Sequence, residues 1–293
     1  MTLAELLADA ERQLTQAGVS FGQGTARARD EAAWLVLWSL ALPLDTDLDD
    51  AAWANRPITP AEQARVASLL QARITGRQPA AYLTREAWLH GVPFYADERA
   101  IIPRSLIAQA LAEGAIDCWL PAHTPRVLDL CTGGGSLAVL AALAWPEARV
   151  DAADLSADAL AVARINVERH GLQQRVTLIE SDGLARCPGP YDLILCNPPY
   201  VNAASMAALP PEFRAEPALA LAGGTDGMDF VRRLLPAAAA VMSEGAALVL
   251  EIGHERPHFE AAFPRLAPLW LDTSAGSDQV LLLTREMLEL YSW

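Results

Sequence analysis

The sequence predicts an α/β protein in which a mostly parallel, doubly wound sheet follows a small helical domain. Up to about Thr84, apolar residues recur at intervals of three and four, which is the spacing of amphipathic helices. Past Pro125, short and nearly continuous apolar runs alternate with helical stretches, as in parallel sheets that are covered on both faces. We therefore expect a helical domain over residues 1–85, a connector over 86–100 and an α/β domain over 101–293.

Local signals place the elements that precede the α/β domain. The stretch Thr59-Pro60-Ala61-Glu62 combines a capping residue, a proline in the first turn and an acid three residues after the cap, so a helix begins there. Breaks at Leu42-Pro43 and Arg56-Pro57 divide the helical domain into four or five short helices. The connector has aromatic and β-branched residues on either side of Gly91-Val92-Pro93, and this pattern predicts a β-hairpin.

Six apolar runs in the α/β domain have the length and composition of buried strands. They span 126–130, 149–153, 176–179, 191–195, 246–250 and 279–283. Between the second and third runs, Ser156 caps a helix that ends before Gly171. Another helix is predicted to start near Met228, and the alanines after Pro236 predict a further helix start. Ligands of doubly wound sheets bind beyond the carboxyl ends of the strands, so the residues that follow these runs are the candidate site.

The composition excludes several classes of function. All 22 basic residues are arginine, which excludes a Schiff-base lysine and the lysine of a Walker loop. The 36 acidic residues leave a formal charge of -14, which argues against non-specific binding to nucleic acid or anionic membranes and favours a basic protein partner. The N-terminal stretch mixes polar and apolar residues, and no apolar run approaches ~20 residues, so we expect a cytoplasmic protein without a membrane span.

Neither the cysteines nor the histidines predict a metal site. The cysteines form no C-x-x-C pair, and their wide spacing indicates no disulfide framework; they are Cys118, Cys131, Cys187 and Cys196. The histidines show no ligand spacing on one helix face; they are His90, His123, His170, His254 and His258. We therefore expect no bound metal and a reducing compartment.

The first strand of the predicted sheet runs into a glycine-rich loop, Cys131-Thr132-Gly133-Gly134-Gly135, and then into a helix. Glycines allow a tight turn and a close approach of a ligand to the amides at the helix start. Asp154 and Asp182 end the next two strands, where carboxylates can accept hydrogen bonds from ribose hydroxyls and from an adenine amine. These features predict a nucleotide-containing ligand, and the loop alone fits NAD as well as S-adenosylmethionine.

The fourth predicted strand runs directly into Asn197-Pro198-Pro199-Tyr200. Two prolines fix two φ angles, so the side-chain carbonyl of Asn197 and the backbone carbonyl of Pro198 are held rigidly beyond the strand. These two oxygens can accept both hydrogens of a planar NH2 group, and the Tyr200 ring offers a face to a flat amide or base. Positioning and polarisation of that nitrogen suffice for methyl transfer, because the nitrogen becomes far more acidic once it is methylated.

The combination of D-L-C-T-G-x-G at 129–135 with N-P-P-Y at 197–200 resembles the HemK-type glutamine methyltransferases, which methylate the side-chain amide nitrogen of a glutamine in a protein. The resemblance extends over nearly the whole α/β domain and the connector, and it includes the loop 216–227. Within the family, D-E-R-x-x-x-P-R-S at 97–105 is similar to the branch that acts on the third protein of the large ribosomal subunit. The resemblance implies a class I, Rossmann-like methyltransferase fold.

The resemblance also implies a role for each candidate residue. Asp129 and the loop 131–135 would hold the methionine part of S-adenosylmethionine, with Asp154 at the ribose and Asp182 at the adenine. Gly134 departs from the family, which usually has serine at this position. The helical domain would recognise the protein substrate. The catalytic loop that holds the substrate glutamine would consist of Asn197, Pro198, Pro199 and Tyr200. Asn197 would also contact the cofactor.

The sequence leaves several alternatives open. The same chemistry could act on a glutamine of a peptide chain release factor, or on an adenine amino group, although no basic run supports nucleic-acid readout. A nicotinamide-dependent oxidoreductase would use the glycine loop but leaves Asn197 and its neighbours without a role. A ribosome-assembly factor could have kept the fold and lost catalysis. Arg104 fits both an orienting residue and a structural ion pair.

Overall fold

The computed structural model describes residues 1–121 and 125–293, and these residues form two compact units. Helices make up the first unit, and the second contains the central sheet. The first unit comprises Met1–Ala87 and Leu209–Ala215, and the second comprises Trp88–Ala208 and Glu216–Trp293.

The helices of the first unit confirm the prediction from the three-and-four spacing. They are α1 (Leu3–Gln16), α2 (Ala28–Ser39), α3 (Ala51–Ala54), α4 (Pro60–Gly76) and α5 (Ala80–Thr84). Thr59 and Glu62 form the predicted capping box at the start of α4. The apolar stripes of α1, α2 and α4 supply fully buried leucines, among them Leu3, Leu35 and Leu70, as expected of helices that pack against one another.

The first unit also contains the segment Leu209–Ala215, which lies far from its helices in sequence. Its Glu212 is 1% exposed and accepts hydrogen bonds from Ser20 N at 3.1 Å and from Arg77 at 3.2 Å. The buried guanidinium of Arg73 lies 3.4 Å from the same carboxylate. Burial opposes the ionisation of Glu212, but its hydrogen bonds and the charge of Arg73 lower its pKa. The ionised carboxylate therefore fastens this segment to the helical unit.

A two-stranded hairpin, β1 (Ala87–Leu89) and β2 (Val92–Phe94), lies within the predicted connector. The central sheet has seven strands within the described residues: β3 (Arg126–Leu130), β4 (Arg149–Asp154), β5 (Val176–Glu180), β6 (Tyr191–Cys196), β7 (Met242–Glu251), β8 (Leu269–Thr273) and β9 (Gly276–Thr284). Their order is β5-β4-β3-β6-β7-β9-β8. Neighbours from β5 to β7 are parallel, and β9 is antiparallel to β7 and β8. The mostly parallel sheet is confirmed, and β8 was not predicted.

Alternate residues of the central strands supply two apolar cores, because neighbours along a strand point to opposite faces of the sheet. Val127 and Leu193 belong to one core, and Leu128 and Ile194 to the other. The helices of this unit are α6 (Ile107–Ala112), α7 (Ser136–Ala144), α8 (Ala157–Arg169), α9 (Ala203–Ala208), α10 (Asp229–Ala238), α11 (Arg256–Ala262) and α12 (Arg285–Leu290). Across the described ranges, no helix combines the length and the hydropathy that a membrane span requires.

Two local helix predictions have opposite outcomes. Ser156 caps α8 as predicted, and its hydroxyl oxygen accepts a hydrogen bond from the third residue of the helix. The helix start predicted at Pro236 is wrong, since α10 begins at Asp229 and continues through the proline. The buried face of α10, with Val231 and Leu235, fixes the helix before the chain reaches Pro236.

Candidate active site

The pairing of the central strands brings the predicted site residues to one edge of the sheet. Leu130, the last residue of β3, lies opposite Ala153 of β4 and opposite Cys196 of β6. Asp154 and Asn197 come directly after these partners in sequence. The glycine loop after β3, the acid at the end of β4 and the Asn-Pro-Pro-Tyr loop after β6 are therefore neighbours.

The glycine loop owes its shape to two of its glycines. Gly133 has a φ of +54° and Gly135 a φ of +81°, which are left-handed conformations that favour glycine. A Cβ atom at Gly135 would lie 3.0 Å from the Cβ of Ala163 on α8. At Gly134 the nearest neighbour of such an atom, in Val162, would be 3.4 Å away, which is ordinary van der Waals contact. The loop therefore favours glycine at 135, whereas a Cβ atom fits at 134.

Asp129 is fully buried behind the glycine loop. Its Oδ2 accepts hydrogen bonds from the Thr132 hydroxyl and from Ala138 N, the latter at 2.8 Å. Its Oδ1 has no hydrogen-bond partner within the described part of the chain. Burial raises the pKa of Asp129 to about 7. An unpartnered buried carboxylate oxygen is costly, so it marks a position where a ligand with hydrogen-bond donors or positive charge would be stabilised.

Asp154 fastens the glycine loop to the end of β4. Its Oδ2 accepts a hydrogen bond from Gly133 N at 2.8 Å, and its Oδ1 accepts one from Ser156 N at 2.9 Å. Burial raises the pKa of this carboxyl. A carboxylate has about four lone-pair positions, so Asp154 keeps acceptor capacity for ligand hydroxyls beyond these two amides.

A cleft of about 810 Å³, open solvent included, lies at this edge of the sheet. Six of the predicted residues line it: Cys131, Gly133, Asp154, Asp182, Asn197 and Pro199. Five others are buried nearby and are not part of the lining: Asp129, Thr132, Gly134, Gly135 and Pro198. Tyr200 is half-buried and also outside the lining. The structure thus brings residues from four strand ends into one cavity.

The cleft has further lining residues that the sequence analysis did not select, including Leu155, Phe230 and Arg233. Arg233 forms an exposed ion pair with Asp182 at 3.1 Å, and its guanidinium lies 5.5 Å from the centre of the Phe230 ring. Phe230 and Arg233 both project from α10, and Arg233 lies in a segment, 232–234, that shares the family resemblance. An apolar ring beside a carboxylate is suited to a flat heterocycle with an amino group.

Tyr200 and the end of β7 form a buried contact beside the cleft. The Tyr200 hydroxyl donates a hydrogen bond to Glu251 Oε1 at 3.1 Å. Burial and the negative charge of Glu251 raise the pKa of Tyr200 well above its usual range. The sequence analysis did not predict Glu251, because its pairing with Tyr200 depends on the sheet.

Arg104 forms an ion pair with Glu216, with 2.7 Å between Nη1 and Oε2. The same carboxylate oxygen accepts a hydrogen bond from Ile102 N at 3.0 Å. Pro217, the residue after Glu216, lines the cleft. The structural ion pair considered for Arg104 is therefore present, next to a residue of the cleft wall.

Groups of three or more histidine, cysteine, aspartate or glutamate residues arranged to hold a metal are absent from residues 1–121 and 125–293. His123, one of the five histidines in the sequence, lies outside these described residues. Within the same residues, all four cysteines are free thiols.

The strand order, with the glycine loop after the first sheet strand and acids at the ends of the next two, defines a class I methyltransferase fold. A family model described as methyltransferase small domain matches residues 110–250. The catalytic domain of human Mettl16, solved with an RNA hairpin, aligns with a TM-score of 0.52 at 13% identity, covering 77% of this chain and 81% of that one. That likeness concerns the fold alone.

Two curated relatives match almost the full length. The ribosomal protein uL3 glutamine methyltransferase of Bordetella pertussis is 56% identical over 290 residues, which cover 98% of this chain and 96% of the relative. The protein of the same name from Neisseria meningitidis serogroup B is 45% identical, covering 98% of this chain and 94% of the relative. The chain belongs to the family of the ribosomal protein uL3 glutamine methyltransferases.

Proposed function

We propose that this protein transfers a methyl group from S-adenosylmethionine to the side-chain amide nitrogen of a glutamine in ribosomal protein uL3. One observation carries the proposal: Asn197 and Pro199 line the same cleft as the glycine loop and Asp154. An acceptor for an NH2 group and a nucleotide-type loop therefore share one cavity. Relatives named for this reaction, 44% to 56% identical over almost the whole chain, support the same assignment.

The residues of the cleft fit the cofactor. S-adenosylmethionine carries a sulfonium and an ammonium group and supplies an electrophilic methyl group. Asp129 would hold the methionine part through its unpartnered Oδ1, together with the amides of the loop 131–135. Asp154 would accept hydrogen bonds from the ribose hydroxyls, and Asp182 would lie at the adenine amine. Acidic oxygens around a positively charged ligand are the expected electrostatic complement.

The Asn-Pro-Pro-Tyr loop would hold the acceptor amide. The side-chain carbonyl of Asn197 and the backbone carbonyl of Pro198 would each accept one N–H of the glutamine amide, drawing electron density towards the nitrogen. The ring of Tyr200 would cover the flat face of the amide. The loop therefore contributes position and preorganised polarity, and the methylated nitrogen loses its proton to water without a general base.

The protein acceptor is also favoured by charge. The formal charge of -14 suits a basic protein more than a nucleic-acid backbone. We propose that the helical unit, residues 1–87 with 209–215, recognises this protein, because recognition of a folded substrate needs a surface beyond a cleft of this size. A ribosomal acceptor would place the reaction in the cytoplasm, where ribosomes are assembled.

The decisive experiment offers three acceptors to the purified protein with methyl-labelled S-adenosylmethionine: uL3, a peptide chain release factor and structured RNA. The proposal expects label in uL3 alone, and peptide mass spectrometry should locate one methyl group on a glutamine side chain. Label in the release factor alone would move the protein to the other branch of the family. Label in RNA alone would overturn the protein-methylation proposal.

A further inference from the structure

A buried carboxylate at the end of β7 ties the Asn-Pro-Pro-Tyr loop to the segment before α6. Glu251 is 3% exposed and accepts three hydrogen bonds. The donors are the Ser105 hydroxyl at 2.6 Å, Leu106 N at 2.9 Å and the Tyr200 hydroxyl at 3.1 Å. A buried carboxylate needs such partners, because desolvation strongly disfavours its charged form. Glu251 therefore sits where three separate parts of the chain converge.

The ring of Tyr200 is confined from a second side by Gly253. A Cβ atom at Gly253 would lie 2.6 Å from Cε2 of Tyr200, so the ring edge rests directly on the glycine. The backbone of the tyrosine is confined as well, since a Cβ atom at Gly227 would lie 2.3 Å from the Tyr200 carbonyl oxygen. A Cβ atom at Gly253 would also lie 3.1 Å from Cζ, the ring carbon that carries the hydroxyl. Close packing therefore holds the backbone and one ring edge, and Glu251 adds a directional contact at the hydroxyl oxygen.

Resting on the proposed function, we propose that Glu251 is a positioning residue for methyl transfer: its carboxylate fixes the Tyr200 ring as one wall of the acceptor-amide site. The ring would otherwise sample orientations in which the glutamine amide is poorly aligned with the methyl donor. Since small misplacements of reacting groups lower the rate steeply, a loosened ring should act on turnover more than on cofactor affinity. A structural role alone, joining β7 to Ser105 and Leu106, makes no use of the Tyr200 hydroxyl.

The test compares initial rates of uL3 methylation by Tyr200→Phe, Glu251→Ala, the double variant and wild type. Tyr200→Phe removes only the oxygen that Glu251 holds, and Glu251→Gln supplies a polar group of the same shape. Glu260→Ala is the matched control, because Glu260 is an exposed carboxylate whose hydrogen bond goes to Arg256. Binding of S-adenosylhomocysteine by calorimetry and the melting temperature are measured for every variant.

We expect Tyr200→Phe and Glu251→Ala each to lower kcat about tenfold while the dissociation constant of S-adenosylhomocysteine changes less than about twofold. The double variant should be no slower than Glu251→Ala, because both changes remove one contact. Glu251→Gln should recover most of the rate, and the control should match wild type.

Wild-type kcat in Tyr200→Phe, or losses that multiply in the double variant, would overturn the proposal. If Glu251→Ala does not fold, Tyr200→Phe and Glu251→Gln decide alone. In that case, an unchanged kcat in Tyr200→Phe would contradict the positioning role of Glu251. A rate in Glu251→Gln below that of Tyr200→Phe would contradict it as well. Failure of the proposed function itself is distinguishable, since wild type would then leave uL3 unmethylated before any variant is compared.

Discussion

Asp154 accepts a hydrogen bond from the backbone amide of Gly133 at 2.8 Å, so the acid at the end of one strand sets the shape of the loop after its neighbour. The carboxylate has two roles, because it also lines the cleft and is proposed to bind the cofactor ribose. Loop geometry and ligand affinity are therefore coupled through one side chain.

Asp154→Asn should weaken the binding of S-adenosylhomocysteine. Hydrogen bonds to a charged group contribute about 1.5–3 kcal/mol, and ~1.4 kcal/mol is tenfold in affinity, so the dissociation constant should rise at least about tenfold. Calorimetric titration measures it. Asp158→Asn is the control, since Asp158 is exposed in the first turn of α8 and does not line the cleft. Equal affinities for Asp154→Asn and wild type would remove Asp154 from the cofactor site.

The affinity for S-adenosylhomocysteine should depend on pH through Asp129. Burial raises the pKa of this carboxyl to about 7 in the free protein, so acidification neutralises it as the pH falls below that value. A ligand with an ammonium group binds the ionised form better, so affinity should fall as the pH is lowered from about 8 to about 6. Titrations over this range test the sign. In Asp129→Asn the pH dependence of the affinity should disappear. If it persists, the titrating group is a residue other than Asp129.

Substitutions at two adjacent glycines of the loop should differ sharply. Gly135→Ala adds a Cβ only 3.0 Å from Ala163 at a φ of +81°, and strained backbone of this kind costs about 1–3 kcal/mol before the clash is counted. Gly134→Ser adds its Cβ at an ordinary contact distance in a permitted conformation. Thermal unfolding should show a clear loss of stability in Gly135→Ala and a smaller loss in Gly134→Ser. Equal losses would contradict the loop geometry.

Glu212→Gln should destabilise the helical unit. Breaking a buried ion pair from one side costs about 3–5 kcal/mol when the other charge is left unpaired, but Arg73 keeps Glu31 at 2.7 Å, so the loss should fall below that range. The lowered pKa of Glu212 means that its contribution is present above the unfolded pKa and is lost as the pH falls through the folded one. Urea unfolding at neutral and acidic pH should therefore show a smaller pH dependence in the variant. Glu11→Gln, at an exposed pair with Arg29, should change stability by less than about 1 kcal/mol.

Much of the sheet was predictable because parallel strands buried on both faces are nearly continuous apolar runs. The boundaries of β3 match the prediction, and the caps at Thr59 and Ser156 depend only on neighbouring residues. β8 was missed because it is an edge strand whose residues are mostly half-exposed, so its sequence lacks such a run. The helix start predicted at Pro236 was wrong because the local preference of proline for a helix start is weaker than the packing of α10.

The strand-end residues of the candidate site were predictable for a similar reason, since chain order alone places them at one edge of a parallel sheet. Glu251 and Glu212 were not, because each has partners more than a hundred positions away, and Tyr200 is itself 51 residues from Glu251. Ser105 and Glu251 are 146 residues apart, and Arg73 and Glu212 are 139 apart. A local sequence pattern cannot predict a pairing between residues so far apart in the chain.

Whether the Asn-Pro-Pro-Tyr loop holds the acceptor amide is tested by the rate of uL3 methylation by Asn197→Ala, measured beside its affinity for S-adenosylhomocysteine. Loss of one preorganised contact to the reacting group commonly lowers turnover about 10²–10³-fold. We predict a rate at least about a hundredfold below wild type, with the dissociation constant of S-adenosylhomocysteine changed less than about twofold. Methylation of uL3 by Asn197→Ala at the wild-type rate would show that Asn197 does not hold the reacting nitrogen.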